Sequence, residues 1–228
     1  MPGYAVAFQQ VAIAGGMPLA IRALLNNQQY ADPLGSAAAA GISPASWALF
    51  GLVWPSAQKL ADLMQAWDLG THRVLEIGCG LALASMVVHR RGGEVTASDR
   101  HPLAADFLRA NLLLNHLPTM PYCTGNWETK NLALGRFDLI IGSDLLYEPD
   151  QNGQLAAFIE RHAERAAEVL IIDPDRGNRV AFKRSMAMLG FGLTETRLLA
   201  PLHDGTAYRG RLLHYRRSAI SRASSASA

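Results

Sequence analysis

Residues 73–84, Arg73-Val74-Leu75-Glu76-Ile77-Gly78-Cys79-Gly80-Leu81-Ala82-Leu83-Ala84, restrict this chain more than any other stretch. Val74, Leu75 and Ile77 form an apolar run suited to a strand buried on both faces of a parallel sheet. Gly78 and Gly80 follow, and without a Cβ they let the backbone turn sharply and approach a ligand closely. A strand, a glycine turn and a helix start in this order form a usual nucleotide cradle in α/β proteins. The dinucleotide fingerprint G-x-G-x-x-G/A needs a small residue where this chain has Leu83. Leucine's bulk there argues against a pyrophosphate.

The remaining chain is consistent with one α/β domain and a modest extension. Its 228 residues are half hydrophobic, enough for a sizeable core. A formal net charge of +2 does not demand a nucleic-acid partner, since no dense cationic run is interleaved with aromatics. Cys79 and Cys123 are the only cysteines, which excludes a disulfide framework and a paired-cysteine zinc pattern. A reducing, cytoplasmic setting is expected. The apolar region 11–25 is broken by Gly15-Gly16, Pro18 and Arg22, so neither a signal peptide nor a membrane span is expected.

Taken in order, residues 6–13 and 19–24 alternate loosely around Gly15-Gly16 and predict a hairpin in an N-terminal extension of residues 1–36. Such a piece either covers an edge of the sheet or recognises a partner. Residues 37–217 form the main domain, with helices over 57–67, 81–91, 103–115, 154–167 and 180–189. Pro55 suits a helix start and Ser56 is a candidate cap. The charges of Glu160, Arg161, Glu164 and Arg165 read as a solvated helix face with i,i+4 pairs. Strands fall at 94–99, 121–124, 139–141 and 169–172, and a final strand pair at 191–198 and 207–215 includes one antiparallel strand. Residues 218–228, rich in Ser and Ala, read as a disordered tail.

Several side chains stand where such a sheet binds its ligands, at the carboxyl ends of the strands. Asp99 closes the second strand of the cradle, 19 residues beyond Gly80, and is placed to accept hydrogen bonds from ribose hydroxyls. Trp127 lies in the loop after the next strand, where a ring can stack on adenine. Asp144 and Tyr147 follow the strand of Leu139-Ile140-Ile141 and are expected beside the reacting group, whereas Glu148 can point to solvent. Trp47 and Trp54 are either core residues or, for Trp54, a wall over the ligand.

Glu76-Ile77-Gly78-Cys79-Gly80, an acid two residues before a G-x-G loop, resembles motif I of the seven-strand S-adenosylmethionine (SAM) methyltransferases. Leu81 replaces a third glycine often found there. Trp47-Ala48 through Trp54-Pro55-Ser56, Asn126-Trp127, and Asp144-Leu145-Leu146-Tyr147-Glu148 narrow the resemblance. They are similar to the methyltransferase-16 family of protein lysine methyltransferases, in particular the branch with the electron transfer flavoprotein beta-subunit lysine methyltransferase. Asp173-Pro174-Asp175-Arg176-Gly177 also looks like that branch's D-P-G-R stretch, with Asp175 in place of a glycine.

The resemblance implies a Rossmann-like, seven-stranded, mostly parallel sheet with helices on both faces. It implies SAM as cofactor, held by Trp54, Glu76, Gly78, Cys79, Gly80, Asp99, Trp127 and Asp144, with Asp144 and Tyr147 at the acceptor. The expected reaction is methyl transfer to a lysine of a protein substrate, such as electron transfer flavoprotein beta subunit or another cytoplasmic protein. A monomer with neither metal nor membrane association is expected. The rivals are a methyltransferase for a small amine or RNA, and a SAM-binding protein without turnover. An N/D-P-P-Y/F/W loop, expected for base-amino methylation, does not follow the strand at 139–141.

Overall fold

The computed structural model describes residues 3–128, 131, 134–146, 153–175 and 177–219. Two strands, β1 (Val6–Val11) and β2 (Leu19–Leu24), form the N-terminal antiparallel hairpin. A short helix α1 (Ser36–Ala39), a 3-10 turn at Trp47–Gly51 and helix α2 (Pro55–Ala66) lead into the main sheet. That sheet is built from β3 (Arg73–Ile77), α3 (Leu83–Arg90), β4 (Glu94–Asp99), α4 (Ala104–Leu114), β5 (Tyr122–Thr124) and β6 (Phe137–Ser143). Helix α5 (Gln154–His162), β7 (Ala163–Asp173), α6 (Arg179–Met188), β8 (Gly192–Leu198) and β9 (Gly210–Arg217) complete it.

The strand order is β5-β4-β3-β6-β7-β9-β8. All neighbours are parallel except β9, which runs antiparallel to both β7 and β8. From β3 the chain winds outward through β4 to β5, then returns to β6 on the other side of β3. The reversal opens a crevice above the carboxyl ends of β3 and β6, where a sheet of this kind takes its ligand.

Period-two alternation in doubly buried strands produces two cores. Val74, Leu139, Ile141, Leu170 and Ile172 face one side with Leu60 and Met64 of α2, Val87 of α3 and Phe107 of α4. Leu75, Ile77, Ile140, Val169 and Ile171 face the other with Phe158 and Ile159 of α5 and Phe182 of α6. Fully burying each such side chain contributes about 1.5–3 kcal/mol, so the sheet's position between its helices is strongly specified.

The hairpin does not extend an edge of the main sheet. It lies on α4, where two asparagines act as a substitute strand. Asn111 accepts from the Arg22 amide (2.8 Å) and Asn115 from the Ala20 amide (2.9 Å). Their amide groups donate back to the carbonyls of the same two residues. The free side of β2 is thereby satisfied without another strand.

Two local expectations fail. The helix expected over 154–167 stops at His162, and the chain becomes β7 from Ala163. The carbonyls a helix would use are taken elsewhere: Arg136 donates to Ala163, and Arg217 donates to Glu164 (2.9 Å) and Arg165 (3.3 Å). Glu160 pairs with Arg217 instead of Glu164 or Arg165 pairing along a helix. Ser56 does not cap α2 through its side chain; its hydroxyl lies 2.9 Å from that of Tyr208.

Candidate active site

The crevice above β3 and β6 holds a cavity of about 830 Å³, within the usual range for small-molecule sites. Its floor is the turn after β3. Gly78 and Gly80 have φ of 57° and 52°, left-handed values that favour glycine. A Cβ on Gly78 would stand 2.6 Å from Leu145 Cδ2, and one on Gly80 2.8 Å from the Phe50 carbonyl oxygen. The turn is therefore pressed between the 3-10 turn and the loop after β6, and side chains at those two positions would push it out of place.

Three donors of this turn are engaged within the chain. The Cys79 amide donates to Ser98 (3.0 Å), the Gly80 amide to Asp99 Oδ2 (2.8 Å) and the Ala82 amide to Cys79 (2.7 Å). Glu76 is buried under the turn and accepts from both the amide (2.7 Å) and the hydroxyl of Ser85 in the first turn of α3. A carboxylate thus occupies the helix N-terminus where a phosphate would sit. Burial raises the Glu76 carboxyl to about 7, against the lowering effect of the Ser85 hydrogen bonds. Two buried acids, Glu76 and Asp99, and the bulk of Leu83 suit a phosphate-free, cationic nucleoside better than a dinucleotide.

Asp99 is buried at the end of β4 and lines the cavity. Its other oxygen accepts from the His101 amide (2.8 Å), and burial raises its carboxyl. The same burial and the nearby acids push the Cys79 thiol well up, so it remains protonated. His101 stacks on Phe50, centroids 3.6 Å apart, and its Nδ1 accepts from the Leu103 amide (3.2 Å). Burial lowers its pKa to about 4, so the ring is neutral with its proton on Nε2. Trp47 is wholly buried in the core, while Trp54 lines the cavity with its indole N–H held by the Leu49 carbonyl (2.7 Å).

Trp127 reaches the opposite wall, its Cζ2 4.0 Å from where a Gly78 Cβ would lie. Its carbonyl accepts from Arg161 of α5 (2.7 Å). Asp144 follows β6 with φ of 53°, and its amide donates to Ile172 (2.8 Å). A non-glycine residue in that conformation costs of order 1 kcal/mol, which marks the position as constrained. Seven of the eight cofactor candidates, Trp54, Gly78, Cys79, Gly80, Asp99, Trp127 and Asp144, line this one cavity. Glu76 acts from beneath it. Tyr147 and Glu148 lie outside the described residues.

Sequence reasoning missed four contributors. Phe50 and His101 shape the wall beside Asp99, although the tryptophans flanking Phe50 drew attention to that segment. Arg161 carries no signal, because its charge pattern reads as an exposed helix face. Tyr208, whose hydroxyl meets Ser56, comes from the loop before β9 and sits against the Asp173 carbonyl side of Gly210. Asp175 has φ of 67°, a glycine-favouring value in the stretch where the resemblance expects glycine. Among the described residues no three His, Cys, Asp or Glu side chains gather as a metal ion would require, and no helix is long and apolar enough to cross a membrane.

Comparison with known proteins places these features in a family context. A family model described as lysine methyltransferase, that of the methyltransferase-16 family, matches residues 40–186. The chain is 28% identical over 142 residues to a calmodulin-lysine N-methyltransferase of Arabidopsis thaliana, covering 56% of this chain and 47% of that protein. It is 31% identical to the electron transfer flavoprotein beta subunit lysine methyltransferase of Danio rerio, covering 57% of this chain and 50% of that protein. A histone-arginine methyltransferase of Xenopus laevis is 32% identical over 106 residues, covering 42% of this chain and 44% of that protein. The chain thus spans about half the length of the curated relatives it matches. Among solved structures, magnesium protoporphyrin IX methyltransferase from Synechocystis PCC 6803 superposes with a TM-score of 0.57 at 17% identity, covering 72% of this chain and 84% of that one. The ribosomal protein L11 methylase of Lactobacillus delbrueckii subsp. bulgaricus gives 0.54 at 20% identity, covering 72% and 79%. At these identities the likeness is one of fold.

Proposed function

This chain belongs to the lysine methyltransferase family, and from that premise we propose that it transfers a methyl group from S-adenosyl-L-methionine to a lysine side chain of a protein. The observation that carries the reading is the meeting, in one cavity, of the glycine turn after β3 with Asp144 after β6. Bound there, the cofactor supplies an activated methyl group on a sulfonium. Asp99, which retains acceptor lone pairs, suits the ribose hydroxyls, and the ring of Trp127 suits an adenine face. Trp54, fixed through Leu49, closes the wall opposite.

A lysine near its ordinary pKa of 10.4 must lose a proton before it can attack, which costs about 4–5 kcal/mol at neutral pH. Asp144 accepts a hydrogen bond from the amine and orients its lone pair. Tyr147, outside the described residues, is assigned to the acceptor by the resemblance alone, and an aromatic ring there would attract the cationic head. Much of the acceleration comes from alignment rather than from acid–base chemistry.

Arginine is the second reading, because a relative named for histone-arginine methylation matches about as well as those named for lysine. One experiment separates the outcomes. The protein is incubated with methyl-labelled SAM and a lysate lacking its own methyltransferases, and labelled proteins are hydrolysed. Methyl-lysine supports the reading and methylarginine its alternative. Label only in small molecules or RNA, or none at all, would overturn both.

A further inference from the structure

At the carboxyl edge of the sheet, on the far side of Asp144 from Trp127, basic side chains outnumber acidic ones. The Asp144 amide is bonded to Ile172 of β7, so the carboxyl end of β6 adjoins that of β7. The next residue of β7, Asp173, is in register with Arg211 of β9, and Arg211 is directly opposite Arg197 of β8. Neighbouring strands lie about 4.8 Å apart, so Arg211 stands about 10 Å and Arg197 about 14 Å along the edge from Asp144. Arg209 precedes β9 at the same edge with its side chain 81% exposed, and Arg179 opens α6 there.

The acids of this rim are already shared. Asp175 lies within ion-pair reach of Arg179, Arg209 and Arg211, and the Arg211 hydrogen bond leads the arginines in pulling its carboxyl down to about 2. Asp173 is fully buried and faces Arg179 at 3.7 Å. Glu195 is divided between Lys183 and Arg211. Among the described residues of this rim, four arginines and Lys183 set against Asp173, Asp175 and Glu195 leave an excess of two positive charges. Arg197, exposed and opposite another arginine, pairs with no acid among the described residues. Such a like-charge cross-strand pair destabilises the sheet slightly, so its local fold gains nothing from it.

We propose that this arginine rim receives the acidic flank of a protein substrate whose lysine enters beside Asp144. The inference rests on the methyl-transfer reading and adds a chemical class to it. An extended peptide advances about 3.3 Å per residue, so acidic side chains about three to five positions from the lysine match Arg211, Arg209 and Arg197. A peptide fits better than a nucleic acid, because the rim interleaves acids with its arginines and a phosphate chain would meet both signs. Exposed tryptophan or phenylalanine for base stacking does not accompany these arginines on β8 or β9.

The test compares labelled short peptides with one central lysine, carrying glutamate or glutamine at the flanking positions, together with an oligouridine strand. Binding to the full chain is followed by anisotropy in the presence of S-adenosylhomocysteine. The glutamate peptide is expected to bind about three- to tenfold more tightly than the glutamine peptide, with the preference shrinking as salt rises. Arg197→Glu/Arg209→Glu should abolish the preference without lowering the melting temperature or the affinity for S-adenosylhomocysteine. Equal affinities for the two peptides, a preference untouched by the double substitution, or tighter binding of RNA would each overturn the proposal. A chain that shows the preference but does not bind S-adenosylhomocysteine supports the rim and refutes the cofactor reading. One that binds S-adenosylhomocysteine yet treats the peptides alike refutes the rim alone.

Discussion

The two halves of the sheet's carboxyl edge handle charge in opposite ways. On the β3-β4 side the acids are buried and closed on their own backbone, Glu76 on Ser85 and Asp99 on Gly80 and His101. On the β7-β9-β8 side Asp173 and the half-buried Asp175 among its arginines grade outward into Arg209 and Arg197, which stand largely in solvent. A buried, satisfied polar network is rigid and costly to disturb, whereas exposed pairs contribute about 0–1 kcal/mol each and exchange partners readily. The first arrangement suits a small ligand that must be held in one pose. The second suits a larger partner met in more than one.

The sharpest way to break this division is at Asp144, which lies on the border. If it serves the acceptor side, Asp144→Asn keeps the left-handed backbone, which asparagine tolerates, and lowers methyl transfer by roughly 10²–10³-fold. Affinity for S-adenosylhomocysteine should stay within about threefold, measured by calorimetry. An affinity that collapses together with activity would move Asp144 to the cofactor half and erase the border.

Gly80→Val tests the closed half. The new side chain would need an unfavourable φ of 52° and would press on the Phe50 carbonyl at 2.8 Å, backbone that cannot swing aside. A loss of about 3 kcal/mol is expected, or roughly 6–12 °C in melting temperature for a chain of this size. The stabilising shift on adding S-adenosylhomocysteine should disappear too. A variant that melts and binds like the parent would show that the turn is not held as described.

The buried acid beneath the turn makes a prediction with a definite sign. Glu76 has its folded pKa raised to about 7 from 4.5. The folded state therefore keeps a proton that the unfolded chain releases between those values. The associated stability is complete below about pH 4.5 and lost as pH rises through 7, at most about 3 kcal/mol. His101, lowered to about 4 from 6.5, acts in reverse: its contribution is present above 6.5 and lost as pH falls through 4. The two partly cancel in the parent protein, so the informative quantity is the difference between it and Glu76→Gln. That difference should grow in favour of the variant from pH 5 to pH 8 in chemical denaturation. A flat difference would mean that Glu76 is ionised throughout.

The two halves also differ in how much of them could be read from the chain. The closed half is local: strand, glycine turn and helix follow one another within residues 73–90, and Asp99 falls at the next strand end. Period and spacing therefore locate it, and the hairpin, the sheet and its antiparallel strand are legible for the same reason. The open half depends on register between distant segments. Nothing near Arg211 announces that it will lie opposite Asp173 and Arg197, and nothing near Ser56 announces Tyr208. The helix expected to run to residue 167 shows the same limit, since its charges match i,i+4 spacing while Glu160 pairs with Arg217 and the carbonyls of Ala163 and Glu164 are taken by Arg136 and Arg217.

Arg161 joins the halves, and its effect should be the smallest of these. It belongs to α5, packed behind β6, yet its guanidinium donates to the Trp127 carbonyl at 2.7 Å and so fixes the loop that carries the proposed adenine-stacking ring. It touches no reacting atom in this reading and acts by positioning. Arg161→Met keeps most of the aliphatic stem and removes the donor, leaving the carbonyl to water. A loss of about 1 kcal/mol is expected, appearing as a roughly fivefold rise in the KM for SAM with kcat nearly unchanged. Arg161→Lys, which retains a charged donor, should recover part of it. A fall in kcat at constant KM would instead tie α5 to the acceptor side, and equal effects of Met and Lys would leave only packing as its role.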